Sequence, residues 1–457
     1  MRTTGTALAA MAALLAMGDA RARTDDGCLL IRNATLIDGT GAAPRRGVDI
    51  EMSDGRITRI ARAIRPAPGE AVIDGTNRFV IPGLIDSHVH LDFGISSQLT
   101  AEEKAAVVRN TPRAFLFNGV TTVLNLSSPI DWILPLREAQ RRGETLGPRI
   151  FSTGSAFTPV NGWGSRHTDA IPDVDYAAKR ARDYAARGVD GIKIILDNGL
   201  GDSHTFTAMS EEELRKIVEI AGQNQLPVYI HAINLAEYRR AAAVTPRAIV
   251  HGLQEPVEEA FIADLAARHI AVVPTISLFE SFLRADPEAG SKLDSPILRG
   301  SMPAFLLEKM RTPSYYPTER AAFIKASRTD SYAWAEHALP VFCANIGKMH
   351  RAGVKIGVGT DAGGTIGYDF QGYNTPWEMQ LLVKCGLSPM EALVAATRSN
   401  AEIIGAQDRL GTVEVGKAGD VLVLTADPTA NIANVRRIEW VVQGGVAHPR
   451  SDLAYRP

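Results

Sequence analysis

Between about residues 80 and 360, short apolar runs alternate with longer amphipathic stretches, and this rhythm restricts the fold more than any other feature. The runs are Phe79–Ile85, Thr121–Leu124, Arg149–Ser152, Gly191–Ile195, Pro227–Ile230, Ala248–Val250, Ala271–Pro274 and Lys355–Gly359. Short apolar runs rich in β-branched residues suit strands buried on both faces. The stretches between them carry helix signals. At Ser210–Gly222, for example, Ser210 is followed three residues on by Glu213, the pattern of a capping box. Eight β-then-α units predict an α/β fold, a (β/α)8 TIM barrel. A helical insert over roughly residues 275–350 separates the seventh and eighth strands.

Both ends of the chain read differently. Leu29-Leu30-Ile31, Ala34-Thr35-Leu36-Ile37 and the alternating Val48, Ile50 and Met52 precede an Asp54-Gly55 turn signal. Gly411-Thr412-Val413, Asp420–Leu424 and Trp440–Val442 precede Gly444-Gly445. Such dipeptides between alternating apolar residues mark hairpins. The economical arrangement is a small β-sandwich domain built from both termini, residues 23–80 and 406–457, flanking a barrel over 81–405. Residues 1–22 read as a secretory leader, with Arg2, the apolar run Ala7–Met17 and a small-residue cleavage site at Ala20-Arg21-Ala22. That run is too short to span a bilayer. The mature chain is therefore expected outside the cytoplasm, periplasmic or secreted, and free of the membrane.

Composition narrows the partners. The chain is 45% apolar and 22% charged, which excludes a disordered polymer. Its 49 basic and 51 acidic residues form no basic block, so nucleic acid is excluded as a partner. A small-molecule substrate is expected, and self-association into a homo-oligomer is compatible with the sequence. Cys28, Cys343 and Cys385 allow at most one intramolecular pair. Cys343 and Cys385 sit in helix-like stretches, where burial as thiols and mutual pairing are both open.

The chemistry gathers at strand ends. Asp86-Ser87-His88-Val89-His90 closes the first run, and residues i and i+2 of a strand point the same way. His88 and His90 can therefore offer two imidazoles to one metal. Lys193 lies inside a strand-like run, where a cation needs a partner or a shifted pKa. His231 and His251 each end a run, and Asp361 ends the eighth. Singly, such residues are more often ordinary hydrogen-bonded histidines, a snorkelling lysine and a helix N-cap. Together they put nitrogen and oxygen ligands around one barrel mouth, a set suited to divalent transition metals, zinc foremost.

With these motifs the chain resembles the amidohydrolase superfamily, specifically its binuclear-metal branch. Pro82-Gly83-Leu84-Ile85-Asp86-Ser87-His88-Val89-His90 is similar to its strand-one signature, and Gly416–Leu424 to its C-terminal strand. The resemblance implies that His88, His90 and Asp361 hold a first metal and His231 and His251 a second. Lys193, carboxylated by CO2, would bridge the two ions, and Asp361 would also shuttle the proton. Order and spacing resemble most a group of prolidase-like and Xaa-Arg dipeptidases and ochratoxin-hydrolysing amidases. That group often carries Gly-Gly-His-Gly after strand three, where this chain has Asn161-Gly162-Trp163-Gly164-Ser165-Arg166-His167. It also tends to have a His-x-His pair at strand five, where this chain has His231-Ala232-Ile233. His167 remains a candidate for contacting the substrate carbonyl and Arg166 for a substrate carboxylate. Tyr373, Asn374 and Trp377 are candidates for the pocket lining. Rival readings are weaker. Gly357-x-Gly359-x-x-Ala362 fits a dinucleotide fingerprint in form but comes late in the chain, and no Gly-x-Ser-x-Gly motif occurs. An inactive binding homologue would usually have lost ligands. Lactone or ester hydrolysis on the same centre is the alternative to amide cleavage.

Overall fold

The computed structural model describes residues 28–456 apart from 93–95, 97, 166–167, 200–204, 284–292 and 364–367. The expected leader lies outside the described residues. The chain opens with β1 (Leu29–Leu36), β2 (Arg45–Ser53), β3 (Arg56–Ala61), β4 (Ala71–Asp74) and β5 (Phe79–Pro82). Strands and helices then alternate through β6 (Leu84–Val89), β7 (Val120–Asn125), β8 (Arg149–Ser152), β9 (Phe157–Pro159), β10 (Asp169–Ile171), β11 (Ile192–Ile195), β12 (Val228–His231), β13 (Ala248–Val250) and β14 (Ala271–Val273). The chain ends with β15 (Val421–Leu424), β16 (Ile438–Gln443) and β17 (Val446–Pro449).

The two termini do combine. Their strands form one mixed sheet in the order β17-β16-β15-β5-β1-β2-β3, with β4 on β1. Leu29, Ile31, Leu36, Val48, Ile50 and Met52 pack with Val421, Val423 and Val442 in a shared apolar core. Both hairpin signals hold. Asp54 and Gly55 (φ 51° and 76°) join β2 to β3, and Gly444 and Gly445 (φ 55° and 76°) join β16 to β17. Two successive left-handed residues match the right-handed twist of the flanking strands.

The run Phe79–Ile85 is two strands rather than one. Phe79–Pro82 pairs with β1 and β15 in the terminal sheet, whereas Leu84–Val89 pairs in parallel with β7. Gly83 separates them, and a Cβ there would lie 2.2 Å from Thr121 Oγ1, so only glycine lets the chain cross between the layers. The terminal sheet thus reaches residue 82, slightly beyond the expected boundary at 80.

The parallel strands form a three-stranded sheet, β6-β7-β8, and a six-stranded sheet, β10-β9-β11-β12-β13-β14. The Asp190 N–H donates to the Ser152 carbonyl at 2.7 Å, linking the chain before β11 to the end of β8. Lys355–Gly359 was expected as a regular strand. It instead makes one parallel bridge from Ile356 to Val272, and Ala362 makes another to Val89. The Ser87 N–H nevertheless donates to the Val358 carbonyl, and the Asp361 N–H to the His88 carbonyl. The segment is pressed close to its neighbours: a Cβ on Gly359 would meet Val273 Cγ1 at 2.4 Å. β9 and β10 are three-residue strands, too short to show alternation in the sequence.

Helical expectations hold where local chemistry was explicit. Ser210 caps Glu211–Gln223, its Oγ accepting from the Glu213 N–H at 3.2 Å while the Glu213 carboxylate accepts from the Ser210 N–H at 2.9 Å. The insert consists of Ile276–Leu283, Pro296–Ser301, Ala304–Met310, Tyr315–Ser327 and Ser331–Arg351 among the described residues. Among those residues no helix is long and apolar enough to cross a membrane. Cys343 and Cys385 are paired rather than free thiols, their Cα atoms 4.7 Å apart. The bond ties Ser331–Arg351 to the C-cap of helix Thr375–Lys384. It spans 42 positions. A loop of that size corresponds to about 4 kcal/mol in the chain-entropy account. Cys343→Ser is therefore expected to lower the unfolding free energy by about 2–4 kcal/mol. Urea denaturation reads this directly, and an unchanged midpoint would show that the cross-link adds nothing.

Candidate metal centre

Parallel strands place their C-terminal ends on one side, and the six candidate ligands meet there. His88 is in β6, Lys193 in β11 and His231 ends β12; His90 and His251 each follow a strand by one residue. His88 Nε2 and His90 Nε2 lie 3.1 and 2.7 Å from Asp361 Oδ1. Lys193 Nζ lies 3.4 Å from His88 Nε2. The His251 ring centroid is 4.9 Å from that of His88 and 4.2 Å from that of His231. One ligand atom from each of His88, His251 and Asp361 falls within 4.8 Å of the others, a set able to hold a metal ion. The backbone is strained at this point. His251 (φ 84°), Thr275 (φ 48°) and Asp361 (φ 58°) are non-glycine residues in left-handed conformations. Each costs on the order of 1 kcal/mol and persists only where its surroundings over-determine it.

Those surroundings are polar, buried and largely invisible in the sequence pattern. Asp86 is fully buried, and its Oδ2 accepts from Thr360 Oγ1 at 2.8 Å and Thr375 Oγ1 at 2.7 Å. Its Oδ1 accepts from the N–H groups of His88 and Thr360, both at 3.2 Å. Asn400 Nδ2 donates to the carbonyls of Ile85 at 2.6 Å and Val358 at 2.7 Å, so it stitches the same two segments one residue lower. The ligand rings are held from behind. His90 Nδ1 meets the Ser127 carbonyl at 2.9 Å, His231 Nε2 meets Asp197 Oδ2 at 3.1 Å, and His251 Nδ1 meets Thr275 Oγ1 at 2.8 Å. Sequence reading missed the roles of Asp86, Asp197, Thr275 and Asn400. Only Asp86 carried a signal, its place beside Ser87-His88-Val89-His90.

The electrostatics fit a cation. His90 must donate Nδ1–H to the Ser127 carbonyl, which leaves Nε2 as a lone pair facing the Asp361 carboxylate unless the ring is charged. Burial disfavours that charge, while Asp361 favours it strongly enough to raise the His90 pKa. Burial, with Lys193 nearby, pushes His88 down to about 3. Burial and the His231 ring hold His251 well below the usual histidine range. Burial opposes ionisation of Asp361, yet His88 and His90 outweigh it and hold that carboxyl far down. Asp361 Oδ1 meets no well-aligned donor although two ring nitrogens face it. Neutral His88 and His251 and the ionised Asp361 are electron-pair donors, and a divalent cation satisfies such a set. Burial, opposed by the Asp361 charge, pushes the Lys193 ammonium down to about 7.

Arg166 and His167 lie outside the described residues. The Arg436 guanidinium lies 4.3 Å from the Tyr373 ring, which also packs edge-on against Phe370. Trp377 Nε1 donates to Glu280 at 3.1 Å, with the Lys384 ammonium 4.9 Å from its ring. Asn374 Nδ2 donates to the buried Asp369 carboxylate at 2.6 Å. Asp86 offers the sharper test. All four of its contacts are donors, so an amide would turn an NH2 toward them and leave buried groups unpaired. Asp86→Asn should lower the unfolding free energy by about 1–3 kcal/mol in equilibrium denaturation. An unchanged value would show that the donors find other partners.

Among solved structures, a Xaa-Pro dipeptidase with bound methionine is similar with a TM-score of 0.73 and 23% identity, over 92% of this chain and 100% of that one. A Bifidobacterium longum protein assigned as a prolidase has a TM-score of 0.72 and 27% identity, over 92% of this chain and 94% of that one. Among curated sequences, dihydropyrimidinase 2 of Caenorhabditis elegans is 34% identical over 161 residues, 35% of this chain and 30% of that protein. The first curated relatives are thus matched over only about a third of their length. The sequence pattern of the amidohydrolase family matches residues 79–447, taking in every ligand candidate and β5 through β16. The chain belongs to the amidohydrolase family.

Proposed function

We propose that this chain is an exported, binuclear metal-dependent hydrolase that cleaves an amide bond, peptide-like or N-acyl amino acid, in a small molecule. The observation that carries the proposal is the convergence of His88, His90, Lys193, His231, His251 and Asp361 from separate strand ends. In this reading His88, His90 and Asp361 would hold one ion, His231 and His251 the other, and carboxylated Lys193 would serve both. Two divalent ions, zinc by the ligand chemistry, supply when bound a hydroxide from water near neutral pH and polarisation of the scissile carbonyl. Asp361 accepts the proton of the attacking water and delivers it to the leaving nitrogen. Burial near pH 7 leaves much of the Lys193 amine neutral, and a neutral amine is the form that adds CO2. The new N–C bond forms as the amine gives up one proton, so a neutral amine becomes an anionic carbamate. His167, Arg166, Tyr373 and Trp377 are the proposed substrate contacts, with His167 on the carbonyl.

The same reading extends to the architecture. We infer a closed (β/α)8 barrel with residues 355–361 as its eighth strand, and a β-sandwich at the termini. The bonds of that segment to both β14 and β6, and of Asp190 to β8, support closure. The Cys343–Cys385 bond supports export, since such bonds persist in oxidising compartments. The likeness to the B. longum prolidase supports an amide substrate.

Elemental analysis of the purified mature protein is expected to find about two ions per chain, as the two-metal reading requires. None, even after reconstitution with zinc and bicarbonate, would overturn the reading. Lys193→Ala and Asp361→Ala should each lower turnover by at least about 1000-fold while the fold survives. Labelling with 13C-bicarbonate should place a carbamate on Lys193 at pH 8 and progressively less as pH falls through about 7, where the amine protonates. A panel of dipeptides, N-acyl amino acids and lactones then decides the bond: turnover of lactones alone would replace the amide with an ester.

A further inference from the structure

We infer that the first turn of helix Thr375–Lys384 is a positioning brace for both halves of the metal centre, Thr375 setting the strand-one side and Glu378 the His251 side. The inference rests on the reading of the centre given above and assigns roles to residues that bind no metal in it. Thr375 and Glu378 are three residues apart, one turn, and both are fully buried. Thr375 Oγ1 donates to Asp86 Oδ2 at 2.7 Å, and the other carboxylate oxygen of Asp86 receives the N–H groups of His88 and Thr360. Thr375 therefore sets the tilt of the carboxylate that registers His88 against the segment leading to Asp361.

Glu378 works on the opposite side. Its two oxygens accept from the N–H groups of Ile276 at 2.8 Å and Ser277 at 2.6 Å. Those donors open helix Ile276–Leu283 and have no partner inside it. The residue just before that helix is Thr275, held at φ 48°, which is costly for a β-branched side chain. Thr275 Oγ1 is in turn the partner of His251 Nδ1 at 2.8 Å, which leaves Nε2 as the ligand atom. The two bonds from Glu378 therefore oppose relaxation of Thr275 and rotation of the His251 ring, alongside the Leu278 N–H that donates to the Thr275 carbonyl at 3.2 Å. Burial pushes the Glu378 carboxyl up to about 8, while the bonds from Ser277 and Ile276 act in the opposite direction. The helix that carries both residues is itself anchored at each end, by Asn374 on Asp369 and by the Cys343–Cys385 bond at its C-cap.

The test follows metal release from the zinc-loaded, full-length enzyme into a chromophoric chelator. Glu378→Gln keeps one acceptor and should speed loss of one equivalent by about 10–100-fold, leaving the other near its wild-type rate. Thr275→Val, isosteric but without the hydroxyl, should reproduce that pattern, and Thr275→Ser should restore slow release. Thr375→Val should speed loss of the other equivalent. Wild-type release from all of these folded variants would overturn the inference. So would equal acceleration of both equivalents by every variant, which is mere loosening. Should Glu378→Gln not fold, Thr275→Val and its serine rescue decide the same link. A wild-type chain that binds no zinc would overturn the reading of the centre itself, and the brace with it.

Discussion

The buried carboxylate of Asp86 is the interaction on which the rest depends. It sits one residue before Ser87 in the first parallel strand and gathers four donors, two from backbone and two from threonine hydroxyls. Those donors come from its own strand, from the segment that ends in Asp361 and from the helix after it. An isolated buried carboxylate would be prohibitively costly, and here burial does push its pKa up to about 6. Hydrogen bonds offset the cost, and they also make the carboxylate directional. The irregular segment before Asp361 has few ladder bonds of its own, so Asp86 and Asn400 supply the register that a regular strand would have had.

Strain and order are linked at this centre. His251, Thr275 and Asp361 occupy left-handed backbone conformations, and each is gripped by hydrogen bonds from a different element. The cost is local, while the restraint comes from far along the chain. Such an arrangement holds electron-rich groups close together before any cation is present, so little reorganisation is needed when one binds.

Much of this was legible in the sequence, and the reason is geometric. A parallel strand buried on both faces leaves a compact apolar run, and a ligand at its C-terminal end follows directly. That is why the gathering of His88, His90, Lys193, His231, His251 and Asp361 near strand ends could be read from position. The hairpins at Asp54-Gly55 and Gly444-Gly445 and the cap at Ser210 were legible because turn and cap chemistry is local. What failed to show had no local trace. The split between β5 and β6 depends on one glycine meeting Thr121, a contact across layers. The supports of the ligand rings are polar pairs as far as 315 positions apart, as between Asn400 and Ile85, and no periodicity records such pairs. The Cys343–Cys385 bond was undecidable for the same reason, since it joins the insert to a helix on the far side of Asp361.

The seam between β5 and β15 has a consequence for how the chain is made. Phe79 pairs with Leu424, so an edge laid down early stays open until 345 further positions have been synthesised. Unpaired strand edges invite pairing with other chains. The strand left waiting runs, one glycine later, into the strand that bears His88 and leads to His90. The strand that carries His88 is therefore adjacent to a seam that closes late, when the C-terminal strands arrive. Truncation or delay at the C-terminus would be felt at the metal centre, far from the missing residues, as a misaligned first pair of imidazoles.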